Sequence, residues 1–177
     1  MKTPPLLDDF LFASPGRALA LLAAGSAGVL AAAFFFQHVL GYQPCILCIY
    51  QRWPYAAVIA LALAALALPS RWRLGGFDAL LAVCGLALLA NAGIATYHVG
   101  VEQHWWIGTA ACGGGGTAAD SLDALRAQIL AAPVVRCDEP AWTLFGVSMA
   151  GYNIVLAAAM AGYAFLAARR TYCAPQN

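Results

Sequence analysis

Four stretches of the chain, 18–36, 53–68, 79–97 and 147–168, contain no Asp, Glu, Lys or Arg. A helix needs about 20 apolar residues to cross a bilayer. Backbone groups in hydrocarbon must bond within their own segment, so such runs are helices. With 63% hydrophobic and 10% charged residues, against roughly a quarter charged in soluble domains, the composition belongs to the membrane class. The expected fold is an all-α, four-transmembrane-helix bundle in one domain over 1–177, with spans at about 18–37, 50–68, 78–97 and 147–168. Loops fall at about 38–49 and 98–146. The second apolar run is short, and residues 48–52 are expected to supply its first turn. Ala31-Ala32-Ala33 resembles a signal-peptide cleavage site, but the apolar run continues through Phe36, and Asp8 and Asp9 precede it. The first run is therefore read as a retained span.

Basic residues orient the bundle. Lys2, Arg17, Arg71, Arg73, Arg169 and Arg170 share one side; Arg52, Arg126 and Arg136 share the other with Glu102, Asp120, Asp123, Asp138 and Glu139. The positive-inside rule puts both termini in the cytoplasm and the 38–49 and 98–146 loops outside. The net charge of +1, without a basic cluster, excludes broad nucleic-acid binding.

That topology sorts the six cysteines. Cys45, Cys48, Cys112 and Cys137 lie outside, where disulfides persist, and offer two pairs, 45–48 and 112–137. Cys84, in mid-span, and Cys173, in the cytoplasmic tail, are bystanders. Cys45-Ile46-Leu47-Cys48 follows one apolar run and opens another, so its thiols meet the lipid surface. A helix beginning near Cys48 would stabilise a thiolate there, with Arg52 one turn on adding positive charge. A cation at that position calls for an anionic thiolate or a quinone oxygen, unless Arg52 simply snorkels to the interface.

In the long loop, Gly113–Gly116 gives the backbone freedom. It suits a cysteine that swings between partners, or a plain linker. Residues 120–130 carry Leu122, Leu125, Ile129 and Leu130 at helical spacing, an amphipathic helix that lies on the membrane or packs on other outer segments. No metal site is expected: zinc knuckles come as two close pairs, and here only one pair is close. His38, His98 and His104 at the outer span ends leave haem ligation as an alternative.

Phe36-Gln37-His38-Val39, then Pro44-Cys45-Ile46-Leu47-Cys48-Ile49-Tyr50 and Arg52, resemble the first outer segment of the DsbB family, bacterial thiol:quinone oxidoreductases. Cys137-Asp138-Glu139 with Trp142, Phe145-Gly146 and Met149 is similar to that family's segment after its fourth cysteine. The resemblance spans essentially the whole chain. It implies an inner-membrane enzyme that reoxidises DsbA, a periplasmic thioredoxin-fold oxidase, and delivers the electrons to ubiquinone or menaquinone. Cys112 would form the mixed disulfide with DsbA, Cys137 would be its mate, and Cys45 and Cys48 would take the electrons next. Cys48 would face the quinone, with Arg52 on a quinone carbonyl and Met149 lining the pocket. His98 is the remaining candidate for that pocket. The family's histidine follows Tyr-Glu, whereas this chain reads Tyr97-His98-Val99.

Magnitudes call for either unusually oxidising disulfides or a strong acceptor. DsbA sits near about −120 mV and ordinary structural disulfides below about −300 mV, a gap of roughly 8 kcal/mol for two electrons. The nearest alternative is an oxidoreductase of the vitamin K epoxide reductase type, whose membrane dithiol follows its loop cysteines instead of preceding them. A non-enzymatic membrane or haem-binding bundle is the alternative from another class.

Overall fold

The computed structural model of the chain describes residues 12, 14–67, 76–109, 112, 121–123, 126 and 135–173. Ser14 opens the first helix, α1 (Pro15–His38): its side chain accepts the Arg17 N–H at 3.2 Å, and Pro15 takes a position where no N–H is needed. The second span is built in two pieces, α2 (Ile46–Tyr50) and α3 (Arg52–Ala67). Pro54 explains the joint, because it has no N–H for the Tyr50 carbonyl and its ring crowds that oxygen. The third span is α4 (Phe77–Glu102). A hairpin follows, β1 (Thr143–Leu144) paired antiparallel with β2 (Val147–Ser148). Phe145 and Gly146 form its two-residue turn, both at positive φ (50° and 78°), the conformation that matches strand twist. The last helix is α5 (Met149–Cys173).

Among the described residues, four helical segments are long and apolar enough to cross a membrane: Pro15–His38, Ile46–Ala67, Phe77–Glu102 and Met149–Cys173. The four-span bundle read from the sequence is the fold observed. α4 packs most extensively on α5, α1 packs on α3, and α3 bridges to α4. Ala157, Ala161, Ala164 and Ala168 recur along α5 and are all buried, so the backbones approach closely, as membrane helices require. Leu19, Leu22, Val58, Leu81 and Leu88 fill the space between. Leu63, Leu86, Leu89, Val155 and Leu166 point outward, toward what is lipid in a membrane.

The helices outrun the apolar runs. The third continues to Glu102 instead of ending at Tyr97, and the second begins at Ile46 instead of about residue 50. The reason is local: His98 and Glu102 find side-chain partners, and Cys45 caps the helix ahead of Cys48. The Gly113–Gly116 run lies outside the described residues. So does most of the amphipathic segment expected over 120–130.

Candidate active site

Cys45 is extended (φ −72°, ψ 170°) and is the N-cap of α2; its Sγ accepts the Cys48 backbone N–H at 3.3 Å. Cys-x-x-Cys spacing is thus also the spacing from N-cap to the third helical residue, which is the reach of a capping bond. The two Sγ atoms lie 3.0 Å apart. This corrects the expectation that the helix begins near Cys48 and favours the thiolate there. The free N–H at the helix end points at Cys45, one turn earlier. The Cys45 thiol is held far below its ordinary value, at about 4. The hydrogen bond from the Cys48 side chain contributes most, and the hydrogen bond of His98 and the capping N–H add to it against the opposing effect of burial.

His98 is 3% exposed and lies on the last turns of α4. Its Nε2 is 3.5 Å from Cys45 Sγ and 3.7 Å from Glu102 Oε1. Its Nδ1 is 2.9 Å from Gln51 Nε2. Gln51, at the joint of the second span, also donates to the Leu47 carbonyl at 3.2 Å and accepts from Asn153 Nδ2 at 2.7 Å. The Tyr55 hydroxyl donates to Asn153 Oδ1 at 2.6 Å, and the Ser148 hydroxyl to Glu102 Oε2 at 2.5 Å. Four of these partners, Gln51, Tyr55, Glu102 and Asn153, were not picked out from the sequence. The available signal was their polarity inside or at the end of a span, which is costly unless they are paired.

Beside the dithiol is a cavity of about 350 Å³ lined by Phe36, Pro44, Cys48, Arg52, His98, Trp142 and Met149, among others. Of the four cysteines in the two pairs, Cys48 alone lines it. Arg52 shares the cavity, but its guanidinium donates to Gln37 Oε1 at 2.6 Å and sits 5.1 Å from the Phe34 ring centre. The charge expected to serve a thiolate is therefore held by α1, and the imidazole of His98 is the group beside sulfur. The structure brings Cys45, Cys48, Arg52, His98 and Met149 to one end of the bundle.

The second pair is at the same end. Cys112 and Cys137 form a disulfide with Cα atoms 5.2 Å apart. They pack in one apolar cluster with Cys45, Leu47 and Val101. A cavity of about 660 Å³ opens beside Cys112, between Trp105, Trp106, Ile107, Arg136 and Asp138. Gly100 shapes its wall: a Cβ there would lie 2.0 Å from the Trp106 ring, so only glycine lets the indole fold back to donate to the Tyr97 carbonyl at 2.9 Å. Arg136 beside Asp138 holds that carboxyl down at about 2. Cys84 is buried in mid-span and Cys173 is exposed at the end of α5; both are free thiols.

The family described as "Disulfide bond formation protein DsbB" matches residues 15–167. A "Disulfide bond formation protein B" from Albidiferax ferrireducens is 29% identical over 85% of this chain and 86% of its own length. Another from Herminiimonas arsenicoxydans is 36% identical over 48% of this chain and 49% of its own. An uncharacterized protein of Rickettsia prowazekii is 28% identical over 72% of each chain. No solved structure matched.

Proposed function

The chain belongs to the DsbB family of disulfide bond formation proteins, and on that premise we propose that it is a thiol:quinone oxidoreductase serving a DsbA-like periplasmic oxidase. Membership implies a membrane disulfide oxidoreductase; the quinone, the partner and the residue roles are our reading. The observation that carries it is convergence. Both cysteine pairs share one apolar cluster, and only Cys48 of the four reaches the cavity at the membrane end.

In this reading a thiolate of the reduced partner attacks Cys112, forms a mixed disulfide and expels Cys137 as a thiolate. The partner's second thiolate then breaks the mixed disulfide, and Cys112 and Cys137 are left reduced. Exchange with an oxidised Cys45–Cys48 pair restores the 112–137 bond and leaves the 45–48 dithiol. Re-forming the Cys45–Cys48 bond gives up two electrons and two protons. A quinone in the cavity would supply the two-electron, two-proton acceptor.

The cavity fits such a group: its volume is that of a small-molecule site, and it is mostly apolar with few polar groups. Arg52 would bind a carbonyl oxygen, Met149 and Phe36 would supply apolar lining, and the aromatic wall would exclude water. Ubiquinone and menaquinone are both candidates. The cavity beside Cys112, with Trp105 and Ile107 exposed, suits the apolar edge of a partner's dithiol site. In the same reading the protein sits in the inner membrane with both termini cytoplasmic.

The test is anaerobic mixing of the purified protein with reduced DsbA-type partner and each quinone, following quinone absorbance. Reduction of one quinone with stoichiometric oxidation of partner is expected; oxidation of partner without loss of quinone would overturn the reading. For orientation, Cys173 should react with a membrane-impermeant maleimide only from the cytoplasmic side.

A further inference from the structure

We propose that Gln51 is a positioning residue that locks His98 as the Nε2–H tautomer, so that the imidazole donates a hydrogen bond to Cys45 Sγ. The proposal deepens the function above and rests on Cys45–Cys48 being the pair that becomes a dithiol.

The deduction begins at a backbone carbonyl. Leu47 O can only accept, and one end of the Gln51 amide sits 3.2 Å from it, so that end is the NH₂ group. The same nitrogen faces His98 Nδ1 at 2.9 Å, so Nδ1 is the acceptor. The other end of the amide, Oε1, must accept from Asn153. This turns the Asn153 oxygen toward the Tyr55 hydroxyl, which donates to it. Every amide orientation is fixed by its neighbour, and the series closes on the carbonyl. Neutral imidazole carries one proton; with Nδ1 accepting, it is on Nε2. Nε2 faces Cys45 Sγ and, slightly farther, Glu102 Oε1.

The titratable groups around the ring are Cys45 just ahead of the second span, Cys48 on it and Glu102 on the ring's own helix, and the Cys137 backbone carbonyl approaches from the loop. Ser148 holds the far oxygen of Glu102, and the near one, at 3.7 Å, lies farther from Nε2 than the sulfur at 3.5 Å, so the sulfur takes the imidazole N–H. The same assignment decides against a metal. Donor atoms of Cys45, Cys48 and His98 lie within 4.8 Å of one another, yet an imidazole that ligates through Nε2 carries its proton on Nδ1, and here Nδ1 faces the Gln51 NH₂ group.

The test is ¹⁵N NMR of histidine-labelled, dithiothreitol-reduced protein, with His98 assigned by loss of its signal in His98→Ala. Wild type should show a protonated Nε2 and a bare Nδ1. Gln51→Leu should give a mixture of tautomers and move the pH midpoint of Cys45 alkylation up by about one unit, roughly tenfold less thiolate below it. Gln51→Glu keeps the shape but accepts where Gln donates, so it should move the proton to Nδ1. In a His98→Ala background, Gln51→Leu should change nothing further. A wild-type Nδ1–H tautomer, or Gln51→Leu with an unaltered spectrum and alkylation profile, would overturn the proposal. Should Gln51→Leu not fold, the wild-type spectrum alone decides. No quinone enters these measurements, so their failure is separate from failure of the quinone reading.

Discussion

The two cysteine pairs share a cluster but are held in different ways. Cys45 and Cys48 are three residues apart at a helix start, with a capping N–H, an imidazole and a run of buried amides around them. Cys112 and Cys137 are 25 residues apart, joined to each other, and buried chiefly against apolar neighbours. Hydrogen bonds set sulfur chemistry, since they select which sulfur is anionic. Apolar packing sets only position. The first pair is built to control charge, whereas the second is built to sit beside an open cavity.

The largest effect that could break this contrast is loss of a sulfur. Cys45→Ser, Cys48→Ser, Cys112→Ser and Cys137→Ser should each reduce partner oxidation to background. If Cys112→Ser still turned over, the proposed relay would be wrong.

A smaller effect sharpens the charge control. Cys45 falls from an ordinary 9.0 to about 4, so in the reduced protein its alkylation should already be fast at about pH 6. The sign for stability follows. An acid with a depressed folded value stabilises the reduced fold fully above about pH 9, and this is lost as pH falls through about 4. Thermal unfolding of the reduced protein should show stability rising across that window. A flat profile would remove the thiolate from the account.

Arg52→Ala comes next. Loss of one charged hydrogen bond to an oxygen is worth about 2 kcal/mol, or roughly a thirtyfold higher KM for quinone, with partner KM unchanged. An unaltered quinone KM would return Arg52 to a role of bonding Gln37 and covering Phe34.

Gly100→Ala is expected to act only on the second pair. Its methyl would displace Trp106, cost about 1–3 kcal/mol in stability and raise the partner KM while leaving Cys45 alkylation alone. Cys84→Ala and Cys173→Ala mark the bottom of the scale, with no change in turnover.

The four spans were legible because an uncharged run in hydrocarbon has one solution, the helix. Position along each span was less so. The third apolar run ends ahead of His98, but the helix does not, because His98 and Glu102 are bonded across the bundle by Gln51 and Ser148. The position of the dithiol at a helix start could be read from the apolar run that it opens. Which sulfur caps the helix could not, since that depends on Cys45 adopting an extended backbone. The roles of Gln51, Tyr55 and Asn153 depend on three elements meeting, and only the polarity of these residues hinted at it. The spacing of Arg52 from Cys48 suggests a thiolate or a quinone oxygen as its partner; its bond to Gln37, fifteen residues earlier, depends on α1 lying alongside and has no local signal.

The order of residues 45–55 sets a tolerance on length. Cys45, Cys48, Gln51 and Pro54 follow one another at intervals of three. The first caps the helix, the second supplies the capped N–H, the third carries the amide and the fourth breaks the span. One residue inserted after Cys48 would rotate everything beyond it by about 100°. Gln51 would turn from His98, and the break at the proline would move one residue farther from the dithiol. Substitution at the remaining positions of this segment should be forgiven more readily than any insertion or deletion, so that its length, more than its composition, is what the protein has to keep.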